Sequence, residues 1–249
     1  MSEQVASNFM PKIALLAGGL ATRLRPITTT IPKSMVPVAD RPFLAHQLEN
    51  LARQGITEVV ICSGYLGEQI QEYIQDGSEF GCRVQYSFDG DKLLGTGGAL
   101  RKALPLLGDE FLVMYGDSYL TAPIPPIWKE FLRSGKPALM TVFRNGDKWD
   151  KSNIEFLDGV IIDYDKVAPT ARMEHIDYGL GCLKAEVFSA WSEDTAFDLA
   201  SVYGQLVKQQ QVAGYEVKER FYEIGSPAGL AETDALLRQI AQKEATPNS

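Results

Sequence analysis

Short apolar runs alternate along the first half of the chain with segments whose apolar residues recur every three or four positions. The first pattern predicts buried strands and the second amphipathic helices. Ile13–Ala17 is expected to be a strand, and Leu44, Leu48 and Leu51 behind Pro42 predict a helix that Gln54 and Gly55 end. A strand at Val59–Cys62, a helix from about Leu66 to Ile74 and a strand at Val84–Phe88 follow. Leu100, Leu104 and Leu107 mark a helix that starts near Gly97, and Phe111–Tyr115 a strand that runs out at Gly116 and Asp117. Such alternation predicts a mostly parallel sheet with helices packed on it.

Beyond Ala138 the character changes. Leu139–Phe143, Ile154–Phe156, Val160–Tyr164 and Leu180–Leu183 read as strands separated by turns such as Asp158-Gly159. They predict a β-rich lobe that continues the same sheet. A helix over Phe197–Gln209 and strands at Tyr215–Val217 and Arg220–Ile224 come next. Ser226-Pro227 opens a last helix, in which Leu230, Thr233, Leu237 and Ile240 form one apolar face and proline sits where a missing N–H costs little. The Pro123–Pro126 segment is expected to be only a rigid connection. The reading gives one domain over residues 10–242: a first half at 12–137, a second at 138–225 and a closing helix at 226–242.

The 249 residues suffice for one large α/β domain with a substantial core. With 32 acidic against 24 basic residues the net charge is −8, which argues against nonspecific nucleic-acid binding. Any anionic ligand must then be held by a local basic pocket. Cys62, Cys82 and Cys182 form no CxxC pair, and His46 and His175 have no second ligand at metal-binding spacing, so neither a disulfide framework nor a zinc site follows. The N-terminus has no signal pattern and no apolar run is long enough to span a bilayer. The expectation is a cytoplasmic protein without nucleic-acid or membrane partners, with assembly into a homo-oligomer left open.

Against this acidic background, the 29 residues from Pro11 to Ala39 carry Lys12, Arg23, Arg25 and Lys33 and no Asp or Glu. An even spread of acids would place roughly four there, so the gap is selective. An apolar run, a Gly-Gly turn and then spaced basic residues is a way to present backbone N–H groups and fixed positive charge to a polyphosphate. Neither the GxxxxGK phosphate loop nor the GxGxxG dinucleotide fingerprint is present, which disfavours a kinase or ATPase.

The stretch LLAGGLATRLRP…PKSMVP resembles the signature of the sugar-1-phosphate nucleotidyltransferases, through Gly18, Gly19, Thr22, Arg23, Leu24, Pro26, Thr28, Pro32, Lys33, Pro37 and Val38. The resemblance implies a Rossmann-like three-layer α/β/α fold with a mixed, mostly parallel central sheet and a small β-rich sugar-binding lobe. It also implies transfer of a nucleoside monophosphate from a nucleoside triphosphate to a sugar 1-phosphate, with release of pyrophosphate. By the same resemblance the catalytic cations are Arg23 and Lys33. Leu16, Ala17, Gly18, Gly19, Thr22, Arg23, Asp89, Gly95, Thr96, Gly97 and Gly98 would hold the nucleotide.

Asp117, directly after a strand, and Glu223, in the place of the family's second Asp, would hold Mg²⁺. The Asp165-Lys166 pair resembles the family's acid–Lys pair. Tyr115, Asn153, Lys166, Asp177, Tyr178 and Gly179 would meet the sugar phosphate. The variant LGTGGA at Leu94–Ala99 is closer in pattern to guanylyltransferases acting on D-glycero-D-manno-heptose 1-phosphate or mannose 1-phosphate, so GTP and one of those sugars are the expected substrates. UTP, CTP or dTTP with N-acetylmuramate or glucose 1-phosphate are alternatives. A non-catalytic protein that binds a nucleotide sugar is the alternative of another class, and Glu223 is its support. The acyltransferase or β-helical domain of many relatives finds no residues here, so a single activity is expected.

Overall fold

The computed structural model describes residues 10–19, 24, 26–193 and 195–245. Its first half runs β1 (Ile13–Leu16), β2 (Pro37–Val38), β3 (Arg41–Pro42), α1 (Phe43–Arg53), β4 (Glu58–Ser63), α2 (Gly67–Ile74), β5 (Arg83–Phe88), α3 (Gly95–Leu107), β6 (Glu110–Tyr115) and β7 (Ser118–Tyr119). The second runs α4 (Ile124–Ser134), β8 (Ala138–Arg144), β9 (Ile154–Leu157), β10 (Val160–Tyr164), β11 (His175–Lys184), α5 (Leu199–Lys208), β12 (Val212–Val217), β13 (Tyr222–Glu223) and α6 (Pro227–Ala245).

One nine-stranded sheet, ordered β5-β4-β1-β6-β11-β8-β12-β10-β9, carries the fold. β11 and β10 run against the other strands, so the sheet is mixed, and the strands after Ala138 extend it as expected. Two-stranded ribbons β2–β3 and β7–β13 flank it.

The period-two alternation of strand side chains builds three layers. Ile13, Leu15, Val59 and Ile61 pack with Leu44, Leu48, Ile70 and Phe131 from α1, α2 and α4. Ala14, Val60 and Cys62 pack with Leu100, Ala103, Val202 and Tyr203 from α3 and α5. A third cluster, with Val38, Phe43, Tyr119, Ile224 and Leu237, seats α6 beside the first helix. This is the Rossmann-like α/β/α arrangement.

The structure departs furthest from the sequence reading at two elements. The supposed connection at Pro123–Pro126 opens α4, with Pro123 as its cap and prolines in its first turn. Proline is harmless there because the first N–H groups of a helix have no intrahelical acceptor. The Ile124 N–H donates instead to Gln54 Oε1 at 2.7 Å, and Ile127 and Phe131 bury the helix's inner face. Strand β11 begins at His175 rather than Leu180, because the register shifts between Asp177 and Gly181 and Gly179 takes a φ of +96°. That irregularity breaks the alternation from which a strand is read.

Candidate active site

The carboxyl ends of β1, β4 and β6 meet where open α/β sheets collect their ligand-binding loops. A cavity of about 410 Å³ lies on one side of this edge and one of about 670 Å³ on the other, and Tyr115 and Asp117 line both. Leu16, Ala17, Gly18 and Gly19 line the smaller cavity together with Lys33, Asp89, Gly95 and Thr96, so most of the expected nucleotide-binding set is brought together. Thr22 and Arg23 lie outside the described residues.

Asp89 is buried, and burial raises its carboxyl pKa against the opposing pull of the Leu94 N–H and Lys102. Its Oδ2 accepts the Leu94 N–H at 3.0 Å, and its main-chain oxygen accepts from Lys102 Nζ at 3.1 Å. Asp198 also lines the cavity, although the sequence reading did not single it out. Thr96 Oγ1 bridges that region, accepting the Leu199 N–H at 2.8 Å and donating to Asp198 Oδ1 at 3.4 Å. Cys62 lies at the cavity floor with its thiol pushed up to about 12 by burial, so it is an inert wall.

Gly97 and Gly98 correct the expectation. Both N–H groups donate to the Phe197 carbonyl, at 2.9 and 3.2 Å, and so are not offered to a ligand. A Cβ on Gly97 would run into the Phe197 ring, so this glycine is required for packing α3 under that segment.

Asp117 stands at the junction on a turn fixed from three sides. Gln47 of α1, itself buried, donates through Nε2 to the carbonyls of Tyr115 (3.1 Å) and Ser118 (2.7 Å). The Ile224 N–H donates to the Asp117 carbonyl at 2.9 Å. The carboxylate accepts from Lys33 Nζ at 2.5 Å, so the two residues the sequence assigned to metal and catalysis are in contact. A signal for Gln47 was available: it lies between Leu44 and Leu51 at helical spacing, on the face that must be buried.

Glu223 pairs with Ser118 across the β7–β13 ribbon and lines the larger cavity. Its carboxylate turns toward the start of α6, accepting from the Gly225 N–H and from Ser226 Oγ. Gly229 is required there, since a Cβ would overlap that carboxylate. Each carboxylate oxygen keeps a second lone pair.

The larger cavity gathers Tyr115, Asn153, Lys166, Asp177, Tyr178 and Gly179. Lys166 Nζ lies 3.9 Å from Asp177 Oδ2 and 5.7 Å from the ring centroids of both Tyr115 and Tyr164. Asp165 does not partner it: Asp165 Oδ1 accepts the N–H groups of Val167 and Ala168 and builds a turn. Asp177 therefore supplies the acid of the pair. Tyr178 has a packing role as well. It borders the cavity, but its ring packs against Phe143 and Phe221 and its hydroxyl accepts the Ala122 N–H, so the side chain belongs to the core.

Could these residues hold a divalent cation? Asp117, on the turn after β6, and Glu223, on β13, are hard-oxygen donors that both line the larger cavity, and the Lys33 ammonium lies against Asp117. No cluster of three His, Cys, Asp or Glu able to hold a metal occurs among the described residues. A divalent ion held by these two carboxylates would take its other ligands from phosphate and water.

Two cavities that share the Asp117 carboxylate thus lie at the end of a Rossmann-like α/β sheet. The chain belongs to the nucleotidyl transferase family, whose model matches residues 12–153. It is 32% identical over 215 residues to a D-glycero-alpha-D-manno-heptose 1-phosphate guanylyltransferase of Campylobacter jejuni, spanning 86% of this chain and 94% of that one. It is 42% identical to an N-acetylmuramate alpha-1-phosphate uridylyltransferase of Neisseria meningitidis, over 43% of this chain and 46% of that one. The crystal structure of HddC from Yersinia pseudotuberculosis with GMP-PN superposes with a TM-score of 0.72 at 21% identity, covering 92% and 100% of the two chains, and shares the fold. Among the described residues no helix is long and apolar enough to cross a membrane.

Proposed function

We propose that this chain transfers a nucleoside monophosphate from GTP to a heptose or mannose 1-phosphate, releasing pyrophosphate. The observation that carries the reading is the pair of cavities that meet at Asp117, one floored by the glycine turn and Lys33, the other holding Lys166. The smaller takes the nucleotide and the larger the sugar 1-phosphate, so the attacking oxygen and the α-phosphorus meet at the shared wall. A phosphate monoester is largely anionic at neutral pH and needs no general base. Catalysis then rests on positioning and charge neutralisation.

Lys166 holds the sugar phosphate, and Asp177 fixes the ammonium. Lys33, with Arg23 from the motif, neutralises the leaving pyrophosphate. Asp117 and Glu223 would hold Mg²⁺, which when bound supplies Lewis-acid charge stabilisation at the phosphates. Asn153 Oδ1 is a buried acceptor without a partner among the described residues, and a sugar hydroxyl would satisfy it. Both substrates are water-soluble phosphates, in keeping with a cytoplasmic setting.

Guanine offers N–H donors, and Asp89 faces the nucleotide cavity as their acceptor. The likeness to uridylyltransferases keeps UTP as the second reading, since uracil also presents one N–H to an acid. Crossing four nucleoside triphosphates with heptose, mannose, glucose and N-acetylmuramate 1-phosphates in a pyrophosphate-release assay tests the proposal. GTP with heptose or mannose 1-phosphate is expected to give the highest kcat/KM. No pyrophosphate from any combination would leave a non-catalytic binder of nucleotide sugars.

Asp89→Asn is expected to lower kcat/KM for GTP about 10- to 100-fold, the worth of a lost two-point base contact. The loss for ITP, which lacks the exocyclic amine, is expected to be smaller. Equal losses for GTP and ITP would remove Asp89 from base reading.

A further inference from the structure

The outer end of the larger cavity is built by Trp149, Asp150, Lys151, Arg220 and Glu232, none of which has a role in the reading above. They come from three separate segments: the loop between β8 and β9, the approach to β13, and α6. At their centre the Arg220 guanidinium is gripped between two rings, 4.6 Å from the Trp149 centroid and 4.5 Å from that of Tyr222. Its Nη2 donates to Glu232 Oε2 at 2.6 Å and its Nε to the Phe221 carbonyl at 3.2 Å. A planar guanidinium held by two faces and two edges has few orientations left, so its remaining donors are pre-aimed.

The loop that lays Trp149 on Arg220 is fixed from within. Asn145 is completely buried; its Nδ2 donates to the Asp150 carbonyl at 2.5 Å and to Ser152 Oγ at 3.3 Å. Its Oδ1 accepts the Trp149 N–H at 3.3 Å, and Asp147 Oδ1 accepts the Ser152 N–H at 2.7 Å. Trp149 also leans on Phe143, 5.6 Å between centroids, yet it stays 42% exposed. A large indole that is rigidly mounted and left open at a cavity mouth is a contact surface, since its burial is not what holds the loop.

The rim is also balanced in charge, with Lys151 and Arg220 set against Asp150 and Glu232. An aromatic face packs against the C–H side of a sugar ring, and a balanced set of donors and acceptors satisfies its hydroxyls. An added carboxylate would meet Asp150 and Glu232 and compete for an arginine that already has a partner. We infer that Trp149 and Arg220 form the wall that selects the sugar, favouring neutral polyhydroxylated sugar 1-phosphates over those bearing a carboxylate. The inference rests on the proposal that this cavity takes the sugar 1-phosphate.

Calorimetric titration tests it independently of turnover, with glucose, mannose and heptose 1-phosphates set against glucuronic acid 1-phosphate. The wild-type protein is expected to bind the best neutral sugar at least about tenfold more tightly than the acidic one, a ratio within the reach of a few polar contacts. Trp149→Ala is expected to weaken the neutral sugar about tenfold with GTP affinity within twofold, and Trp149→Phe to recover most of it. Glu232→Gln makes the rim net positive and is expected to narrow the gap to the acidic sugar. Equal wild-type affinity for neutral and acidic sugars would overturn the inference, as would unchanged sugar binding in Trp149→Ala. Pyrophosphate release tests the parent proposal separately, because a chain that binds sugar 1-phosphates selectively but never releases pyrophosphate loses the reaction and keeps the wall.

Discussion

Asp117→Asn is expected to lower kcat for pyrophosphate release by about 10³-fold, on the order of 4 kcal/mol. The size follows from its place. Among the described residues only it and Tyr115 line both cavities, and the turn that carries it is held by Gln47 and by the Ile224 N–H. The amide keeps the shape of the side chain and the backbone bonds of the turn, but it removes the negative charge that faces Lys33 and replaces one carboxylate oxygen by an NH₂ that cannot ligate a cation. The fold is expected to survive, since the lost ion pair is partly exposed and such pairs contribute about 1 kcal/mol or less. Initial rates over a series of Mg²⁺ concentrations, with thermal unfolding alongside, check both halves. A variant with wild-type metal dependence would take Asp117 out of the metal site.

The fold was legible in the sequence because its signals are local. The runs at β1, β4 and β6 alternate sides of the sheet within a few residues, and Pro42 and Gly55 bound α1 from adjacent positions. The prolines at the start of α4 misled for a local reason too: a proline cluster is a breaker in a helix interior and an ordinary first turn at its start. In the site, the residues legible from sequence sit in short contiguous strings at strand ends, such as Leu16–Gly19 and Gly116–Asp117. Glycines within such strings are ambiguous. Gly95 lines the cavity while Gly97, two residues on, makes room for Phe197, and only the distant segment decides between them. Trp149, Arg220 and Asp198 were illegible because their roles exist only where segments far apart in the chain converge. The ion pair of Lys166 with Asp177 has the same cause: the two are apart in the chain, and the irregular β11 brings them together.

Lys33→Ala is expected to reduce kcat about 100-fold, on the order of 3 kcal/mol, with a several-fold rise in KM for the nucleotide. Lys33 follows Pro32 at the head of a short 3₁₀ turn, with its ammonium 2.5 Å from Asp117 and its side chain 16% exposed. In the ligand-free protein it balances that carboxylate; beside a triphosphate it is a point charge able to follow the charge that develops on the leaving pyrophosphate. Arginine is not expected to restore the rate, because a planar fork needs more room and fixed partners where a compact ammonium can swing between two anions. The decisive measurement is the double-mutant cycle with Asp117→Asn. If the two side chains act as one unit, the double variant loses little beyond Asp117→Asn alone, whereas independent roles would make the two losses add. Full additivity would separate Lys33 from Asp117 and leave their contact as an ion pair of the resting protein only.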